Sequence, residues 1–375
     1  MKRELALFAS TAPGLESIAE QEIRALGVVK TRVVPGGVEL STDRATTMRL
    51  LVSLRSVSHL LLRVASFRSD HFERLEREID KLDWAAWLVP GVPRKLKATS
   101  EKSKLFHTGA ITERLERWID AAMGDAGNAE DEPITIAARL VRDEVTISID
   151  LSGEPLHRRG YRLDPGRAPL REDLAAALVI ASGWDGTAPL LDPMCGSGTI
   201  AIEAAMIATK TSPGLARDFA ITRTKMANPP DVERARRDAR AQQVPLAAPI
   251  HASDRDPRAA ERAKQNAARA GVDIQVQHAP LSSVALEGLV DRDTFVVTNP
   301  PWGERLDDAG AGLDRLHGAL GALVRRLGKG ASLAMLAADP RTARTVGLPL
   351  KSAFLTDAGG IKVHALVSGG SIQNG

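Results

Sequence analysis

The chain of 375 residues contains little cysteine, few aromatic side chains and no long apolar runs. Its single cysteine, Cys195, excludes an intramolecular disulfide framework, so a reducing cytoplasm is the expected setting. Aromatic residues make up 3% of the chain and Tyr161 is the only tyrosine, which argues against a sheet that stacks several bases. The sequence has no apolar span of membrane length, no signal-peptide pattern and no metal-ligand spacing. We therefore expect neither a membrane nor a metal partner.

The rest of the composition is typical of a folded protein with more than one domain. Hydrophobic residues account for 43% and charged residues for 26% of the chain. The length predicts two or three domains. A formal net charge of +3 is compatible with an anionic partner but does not specify one.

The stretch 190–205, LLDPMCGSGTIAIEAA, combines a strand end, a glycine loop and an apolar helix. The Asp-Pro pair ends the strand, because proline lacks the N–H that a central strand needs. Gly196 and Gly198 permit a tight turn and a close approach to a ligand, and Thr199 is predicted to cap the helix. Backbone N–H groups at this position predict a nucleotide-like ligand. The G-x-G-x-x-A spacing also fits a nicotinamide dinucleotide fingerprint.

The first 65 residues follow the order strand–helix–strand–strand–helix–strand. A strand at 5–9, an amphipathic helix at 15–26 and a hairpin around PGG at 35–37 are followed by a helix at 46–62 and a strand at 60–67. This order predicts an α+β, ferredoxin-like subdomain.

Basic residues dominate two later stretches. The strand 94–100 carries lysines on alternate positions, and KSKLFHT leads from it into a helix at 109–123. Two paired strands are predicted at 134–140 and 144–151. The segment 153–171 carries five arginines between prolines and glycines, which indicates a linker that could follow a phosphate backbone.

The strings KATSEKSKLFHTGAITERL and DLSGEPLHRRGYR resemble a THUMP domain, an RNA-binding module of tRNA- and rRNA-modifying enzymes. The opening LFASTAPGLESIAEQEI is similar to the N-terminus of the same enzyme family. The resemblance and the basic composition predict RNA contacts for Lys95, Lys97, Lys102, Lys104, Arg158, Arg159 and Arg162.

A second motif follows the β-branched run TFVVT, which predicts a buried parallel strand. Asn299, Pro300, Pro301 and Trp302 come next and resemble the Asp/Asn-Pro-Pro-aromatic signature of adenine-N6 and guanine-N2 methyltransferases. An exocyclic amine is a poor nucleophile, because its lone pair is delocalised into the ring. The side-chain carbonyl of Asn299 and the backbone carbonyl of Pro300 can accept its two N–H groups, while Trp302 offers a face on which the base stacks. The two prolines stiffen the loop.

The string DPMCGSGT resembles the first motif of class I S-adenosylmethionine-dependent methyltransferases. The resemblance implies S-adenosylmethionine as the cofactor, and it places Asp254, at the end of the next strand, on the ribose hydroxyls. Where the family has an acid after the third strand this sequence has HAP, so we expect backbone groups of His278 and Ala279 to hold the adenine. Cys195 is predicted to be a small buried residue and not a nucleophile. The predicted cofactor-binding set is Asp192, Pro193, Cys195, Gly196, Ser197, Gly198, Thr199, Asp254, His278, Ala279 and Asn299.

These features predict an α/β protein: a class I (Rossmann-like) methyltransferase domain with a mixed sheet and a C-terminal antiparallel hairpin, preceded by a ferredoxin-like and THUMP RNA-binding region. The predicted domains are 1–65 (ferredoxin-like), 66–152 (THUMP), 153–171 (basic linker) and 172–375 (catalytic), and the catalytic domain carries an insertion at 209–248.

The favoured function is methyl transfer to the exocyclic N2 amine of a guanine in structured RNA, with 23S rRNA ahead of tRNA. We expect a cytoplasmic, monomeric enzyme. A nicotinamide-dependent oxidoreductase and a non-catalytic RNA-binding protein remain as alternatives.

Overall fold

The computed structural model describes residues 4–124, 132–162, 170–227, 229–302 and 311–368. The chain divides into two compact units. The first comprises Met1–Thr11, Ala19–Leu156 and Arg217–Asp238, and the second comprises Ala12–Ile18, His157–Ala216 and Ala239–Gly375. Across the described ranges, no helix is both long enough and apolar enough to cross a membrane.

The first unit is built on a seven-stranded sheet with the strand order β2-β3-β1-β4-β7-β6-β5. The elements up to residue 150 are β1 (Leu5–Thr11), α1 (Glu16–Ala25), β2 (Thr31–Val34), β3 (Gly37–Thr42), α2 (Arg44–Ser53), β4 (Val57–Arg68), α3 (Phe72–Asp80), β5 (Arg94–Glu101), α4 (Thr108–Met123), β6 (Ile134–Val141) and β7 (Glu144–Asp150).

The predicted ferredoxin-like order of the N-terminus is confirmed. Strand β1 lies between β3 and β4 and is antiparallel to both. The predicted helix at 46–62 is wrong in its second half, because α2 ends at Ser53 and β4 begins at Val57. Strand β4 pairs with β1 on one side and with β7 on the other, and these long-range pairings override the local helical pattern. The predicted boundary at residue 65 therefore lies inside a strand.

The second unit contains a mixed seven-stranded sheet of order β10-β9-β8-β11-β12-β14-β13. Strands β8 to β12 are parallel, and β13 and β14 form the predicted antiparallel hairpin. The elements are α5 (Glu172–Ala181), β8 (Leu190–Asp192), α6 (Thr199–Ala208), α7 (Pro229–Ala241), β9 (Ile250–Asp254), α8 (Pro257–Ala270), β10 (Gln275–His278), β11 (Phe295–Thr298), α9 (Ala311–Leu327), β12 (Ser332–Ala337), α10 (Thr342–Val346), β13 (Leu350–Ala358) and β14 (Ile361–Ser368).

The insertion at 209–248 contributes to the first unit through Arg217–Asp238. The N–H of Ile221 donates to the carbonyl of Leu151 at 3.0 Å, and Arg44 pairs with Asp231 at 2.7 Å. The segment Arg217–Asp238 therefore belongs to the first unit, although it follows the glycine loop of the second unit in the sequence.

Candidate functional site

The predicted site residues of the second unit follow four adjacent parallel strands. In register, Leu191 pairs with Val296 on one side and with His251 on the other, and His278 pairs with Asp254. The carboxyl ends of β8, β9, β10 and β11 therefore lie side by side, as expected for the binding edge of an open α/β sheet. The sequence prediction that these four strand ends form one site is consistent with this topology.

The glycine loop between β8 and α6 has two positions that require glycine. Gly198 has φ +83°, and a Cβ there would lie 2.9 Å from the Cβ of Ala263. Gly196 has φ +55°, but a Cβ there would meet no atom within 4 Å. Gly198 thus permits close packing against α8, whereas Gly196 borders open space. The predicted cap is corrected: Gly198 is the N-cap residue, and Thr199 is the first residue of the helix.

Asp254 fastens the glycine loop to the end of β9. Its Oδ2 accepts from the N–H of Gly196 at 2.8 Å, and its Oδ1 accepts from the N–H of Asp256 at 2.9 Å. Its backbone carbonyl accepts from the N–H of Ala279 at 3.0 Å. The Ala279 amide, one of the groups expected to hold an adenine, is therefore already engaged. Asp256 caps α8 by accepting from the N–H of Arg258.

Two further residues hydrogen-bond to predicted site residues, and neither was predicted from the sequence to have a role. The amide of Asn266, a fully buried residue of α8, donates to the carbonyl of Ser197 at 2.9 Å. The hydroxyl of Thr298 donates to Oδ1 of Asp192 at 2.7 Å and joins β11 to β8. The sequence signal for Asn266 is an amide residue within an alanine-rich helix. Nothing in the sequence distinguishes Thr298 from its β-branched neighbours.

Asp192 is buried at the end of β8, with 1% of its surface exposed. Burial raises its pKa to about 7 and the charge of Asp254 acts in the same direction, while the Thr298 hydroxyl and the N–H of Met194 oppose the rise. A buried carboxyl group with a perturbed pKa at the ligand-binding edge is a candidate functional residue.

The loop after β11 presents an unused acceptor. Oδ1 of Asn299 is buried and has no hydrogen-bond partner within the described part of the chain, and the same holds for Nε1 of Trp302. Pro300 is buried, Pro301 is exposed, and Trp302 packs against the apolar core of the sheet. A buried carbonyl oxygen without a donor is costly, so this arrangement indicates a site that a ligand's N–H completes.

Cys195 is buried, and burial raises the pKa of its thiol well above the ordinary value. A thiol in this environment is a weak nucleophile. The prediction that Cys195 is a small buried residue is confirmed, and its lack of a nucleophilic role stays a prediction.

Residues 157–162 of the predicted basic linker at 153–171 pack partly into the protein. The guanidinium of Arg159 is 1% exposed and pairs with the buried carboxylate of Glu203 at 3.4 Å. Arg162 pairs with Glu172 at 2.7 Å and donates to the carbonyl of Leu170. The prediction of RNA contact is therefore wrong for Arg159, because its guanidinium is buried and paired with Glu203. The side chain of Arg162 is 11% exposed, and its RNA contact stays a prediction. Residues 163–169 of the predicted linker lie outside the described residues.

We expect Arg159→Ala to lower the free energy of unfolding by about 3–5 kcal/mol, because it leaves the carboxylate of Glu203 buried without its cation. Urea unfolding followed by circular dichroism measures the loss. Arg158→Ala, at the exposed neighbouring position, is the control and should change stability by less than about 0.5 kcal/mol. Equal losses in the two variants would contradict the structural role of Arg159.

The four predicted RNA-contacting lysines lie in the first unit. Lys95 and Lys97 are exposed on β5. Nζ of Lys104 pairs with Oδ2 of Asp70 at 2.9 Å, and Nζ of Lys102 lies 3.9 Å from Oε1 of Glu101. Their RNA contacts remain predictions.

The fold is that of a class I methyltransferase domain. The chain belongs to the RMKL-like methyltransferase domain family, whose model matches residues 159–347, about half of the chain. A second model, the RlmL ferredoxin-like domain, matches residues 6–61. Both findings agree with the fold and the family predicted from the sequence.

Similar proteins include a curated relative and several solved structures. Ribosomal RNA large subunit methyltransferase K/L of Syntrophotalea carbinolica is 30% identical over 370 residues, which cover 93% of this chain and 51% of the relative. The chain thus spans about half the length of the curated relative. The structure of SMU.472 in complex with SAH has a TM-score of 0.89 and 29% identity over 99% of each chain. A Listeria monocytogenes structure, named as a predicted N6-adenine-specific DNA methylase, has a TM-score of 0.87 and 28% identity over 98% of this chain and 97% of that one.

Proposed function

We propose that this protein transfers a methyl group from S-adenosylmethionine to the exocyclic N2 amine of a guanine in large-subunit rRNA, in the cytoplasm. The observation that carries the proposal is the buried Oδ1 of Asn299, directly after β11, which has no hydrogen-bond partner among the residues that the structure describes. An N–H of an exocyclic amine is a hydrogen-bond donor that fits this acceptor oxygen of Asn299. Pro300 and Pro301 follow it and have no N–H of their own to compete for the acceptor.

The residues at the strand ends fit S-adenosylmethionine. Gly196 borders open space and allows a close approach to the backbone, while Asp192 offers a buried carboxyl group to the ammonium of the methionine part. The carboxylate of Asp254, half-buried beside the loop, is the expected acceptor for the ribose hydroxyls. Support also comes from the SMU.472 structure, which contains SAH, the product of methyl donation.

The cofactor supplies an electrophilic methyl group on a sulfonium, so no covalent enzyme nucleophile is needed. Oδ1 of Asn299 and the carbonyl of Pro300 accept the two N–H groups of the target amine and orient its lone pair. Trp302 provides a face for the extruded base. The residues therefore act by positioning the base and by localising its lone pair.

RNA is the proposed substrate because the N-terminal unit begins with a fold that matches the RlmL ferredoxin-like domain and carries exposed lysines on β5. The curated relative is named as a large-subunit rRNA enzyme, and this favours rRNA over tRNA. The guanine N2 atom is favoured over adenine N6 by the resemblance of the whole chain to THUMP-type enzymes, since the NPPW motif alone fits both.

Nucleoside analysis of RNA from cells with and without the gene tests the proposal. We expect one N2-methylguanosine in 23S rRNA to disappear with the gene and to return when purified protein and S-adenosylmethionine are added to the unmodified RNA. Loss of N6-methyladenine instead would contradict the guanine assignment. Loss of a tRNA modification would support the tRNA alternative, and RNA binding without methylation would support the non-catalytic one.

The raised pKa of Asp192 predicts a pH-dependent stability of the ligand-free protein. The folded state binds this proton more tightly than the unfolded chain, whose Asp pKa is about 3.9, so the free energy of unfolding falls as pH rises from about 4 to 7. Asp192→Asn removes this dependence. We expect the stability of the variant relative to wild type to increase by about 2–3 kcal/mol between pH 5 and pH 8 in urea unfolding. A constant difference at the two pH values would show that Asp192 ionises normally.

A further inference from the structure

Helix α8 carries a fully buried asparagine, Asn266, on a face that is otherwise alanine. The other buried residues of this helix are Ala259, Ala260, Ala263 and Ala267. Burying an amide costs free energy unless its polar groups are hydrogen-bonded, and an alanine would continue the face without that cost. The partners of the Asn266 amide are therefore expected to explain why the residue is there.

Both polar groups of the Asn266 side chain are hydrogen-bonded. Its Nδ2 donates to the carbonyl of Ser197 at 2.9 Å, and its Oδ1 accepts from Nη2 of Arg269 at 2.6 Å. A guanidinium can only donate, so the oxygen of the amide must face Arg269 and the amino group must face Ser197. Nε of Arg269 in turn donates to the carbonyl of Tyr161 at 2.8 Å. Arg269, anchored on Tyr161, thus fixes the orientation of the Asn266 amide.

The partner of Asn266 is a peptide group in the middle of the glycine loop. The carbonyl of the Ser197–Gly198 peptide accepts from Asn266, and the N–H of the same peptide donates to the carbonyl of Cys195 at 2.8 Å. The two groups of a trans peptide point in opposite directions, so these two bonds fix the rotation of its plane. The bonds are needed because Gly198, which has no Cβ, offers little steric resistance to such a rotation.

The orientation of this peptide decides which group the loop presents to a ligand. With its carbonyl bonded to a buried amide, the Ser197–Gly198 peptide cannot turn that oxygen toward the open space that Gly196 borders. The cofactor S-adenosylmethionine carries a carboxylate on its methionine part, and a carbonyl oxygen that faced this carboxylate would repel it. Holding the Ser197 carbonyl against α8 therefore keeps the loop suited to the cofactor.

We propose that Asn266 and Arg269 are positioning residues of the cofactor site. Arg269 orients the amide of Asn266, and this amide holds the Ser197–Gly198 peptide in the conformation that binds S-adenosylmethionine. The inference rests on the glycine loop being the cofactor-binding loop of the proposed function. Both side chains act through the loop, so their loss should weaken cofactor binding and raise KM for the cofactor, while kcat at saturating cofactor is retained.

Asn266→Asp tests the hydrogen bond to the loop with little change in side-chain volume. The carboxylate keeps an acceptor for Arg269 but has no donor for the Ser197 carbonyl. We expect calorimetric titration to show an affinity for SAH about 10- to 30-fold weaker than that of the wild type. KM for S-adenosylmethionine should rise by a similar factor, and kcat at saturating cofactor should change by less than about threefold.

Gln265→Glu is the matched control for this variant. It makes the same amide-to-carboxylate change at the neighbouring exposed position, where Nε2 of Gln265 donates to Oε1 of Glu261 at 3.1 Å. Because this amide has no bond to the loop, we expect an affinity for SAH within about twofold of the wild-type value.

Arg269→Met tests the orientation of the amide while Asn266 stays in place. Arg269 is an exposed residue, so its replacement should leave the core of the second unit intact. The amide of Asn266 is then able to turn its oxygen toward Ser197, and we expect an affinity for SAH about 3- to 10-fold weaker. Arg269→Lys keeps a donor for Oδ1 of Asn266 and should restore most of the lost affinity.

Thermal unfolding followed by circular dichroism identifies the variants that are folded at the titration temperature, and if Asn266→Asp is unfolded there, Arg269→Met decides alone. Wild-type affinity for SAH in the folded variants would overturn the positioning role and leave the proposed function intact. A fall in kcat at saturating cofactor with an unchanged KM would also overturn it, because the two residues would then act on the chemical step. A wild-type protein that does not bind SAH would refute the proposed function itself.

Discussion

Replacing Asn299 by alanine is expected to lower kcat by about 100- to 1000-fold with less than about a threefold change in cofactor affinity. The substitution removes Oδ1, the buried acceptor that has no partner in the described structure. The target amine then loses one of the two carbonyl oxygens that orient its lone pair. Single-turnover methylation of unmodified RNA measures the rate, and calorimetric titration with SAH measures the affinity.

Asn299→Asp is the matched control for this position. The carboxylate keeps an acceptor oxygen in place, and the signature that this loop resembles allows either residue. We expect it to retain a larger share of the activity than Asn299→Ala. A normal rate in Asn299→Ala, or a rate loss fully explained by weaker cofactor binding, would show that Asn299 does not orient the amine.

Replacing Asp254 by alanine is expected to weaken cofactor binding by about 30- to 100-fold, equivalent to about 2–3 kcal/mol. The carboxylate is the proposed ribose acceptor, and it also accepts the N–H of Gly196 at 2.8 Å and that of Asp256 at 2.9 Å. Its loss removes a ligand contact and releases the glycine loop at the same time. At saturating S-adenosylmethionine, kcat should fall by less than about fivefold, because Asn299 and Trp302 are untouched.

Asp256→Ala separates the ligand contact from the local fold. Asp256 caps α8 by accepting from the N–H of Arg258, and it occupies the adjacent turn. This variant should lose about 1 kcal/mol of stability and little cofactor affinity. If Asp254→Ala lowered kcat while Asn299→Ala weakened cofactor binding, the roles assigned to the two residues would have to be exchanged.

Much of the fold could be predicted because its signals are local. The β-branched run before Asn299 predicts a buried strand, and the alternation in 134–140 and 144–151 predicts two paired strands that the structure contains as β6 and β7. The helix at 46–62 could not be bounded correctly. Its second half pairs with β1 and β7, and those partners lie far away in sequence.

The basic residues also show which features local sequence predicts and which depend on long-range contacts. Side-chain type predicts a positive charge but not its partner. Arg159 and Lys97 are equivalent candidates in the sequence, yet Arg159 is enclosed with Glu203 whereas Lys97 is exposed on a sheet face. Only packing determines which charge is neutralised inside the protein and which one is free to meet an anion.

The sequence by itself determined the order of the elements, the glycine loop after β8 and the Asn-Pro-Pro-Trp loop after β11, because each depends on residues adjacent along the chain. The tertiary structure alone decided that Asp254 accepts from Gly196, that Asn266 donates to Ser197, that Oδ1 of Asn299 has no partner within the described ranges and that Arg217–Asp238 belongs to the first unit. Each of these features depends on burial and on contacts between residues that are distant in sequence. Local sequence patterns predict neither.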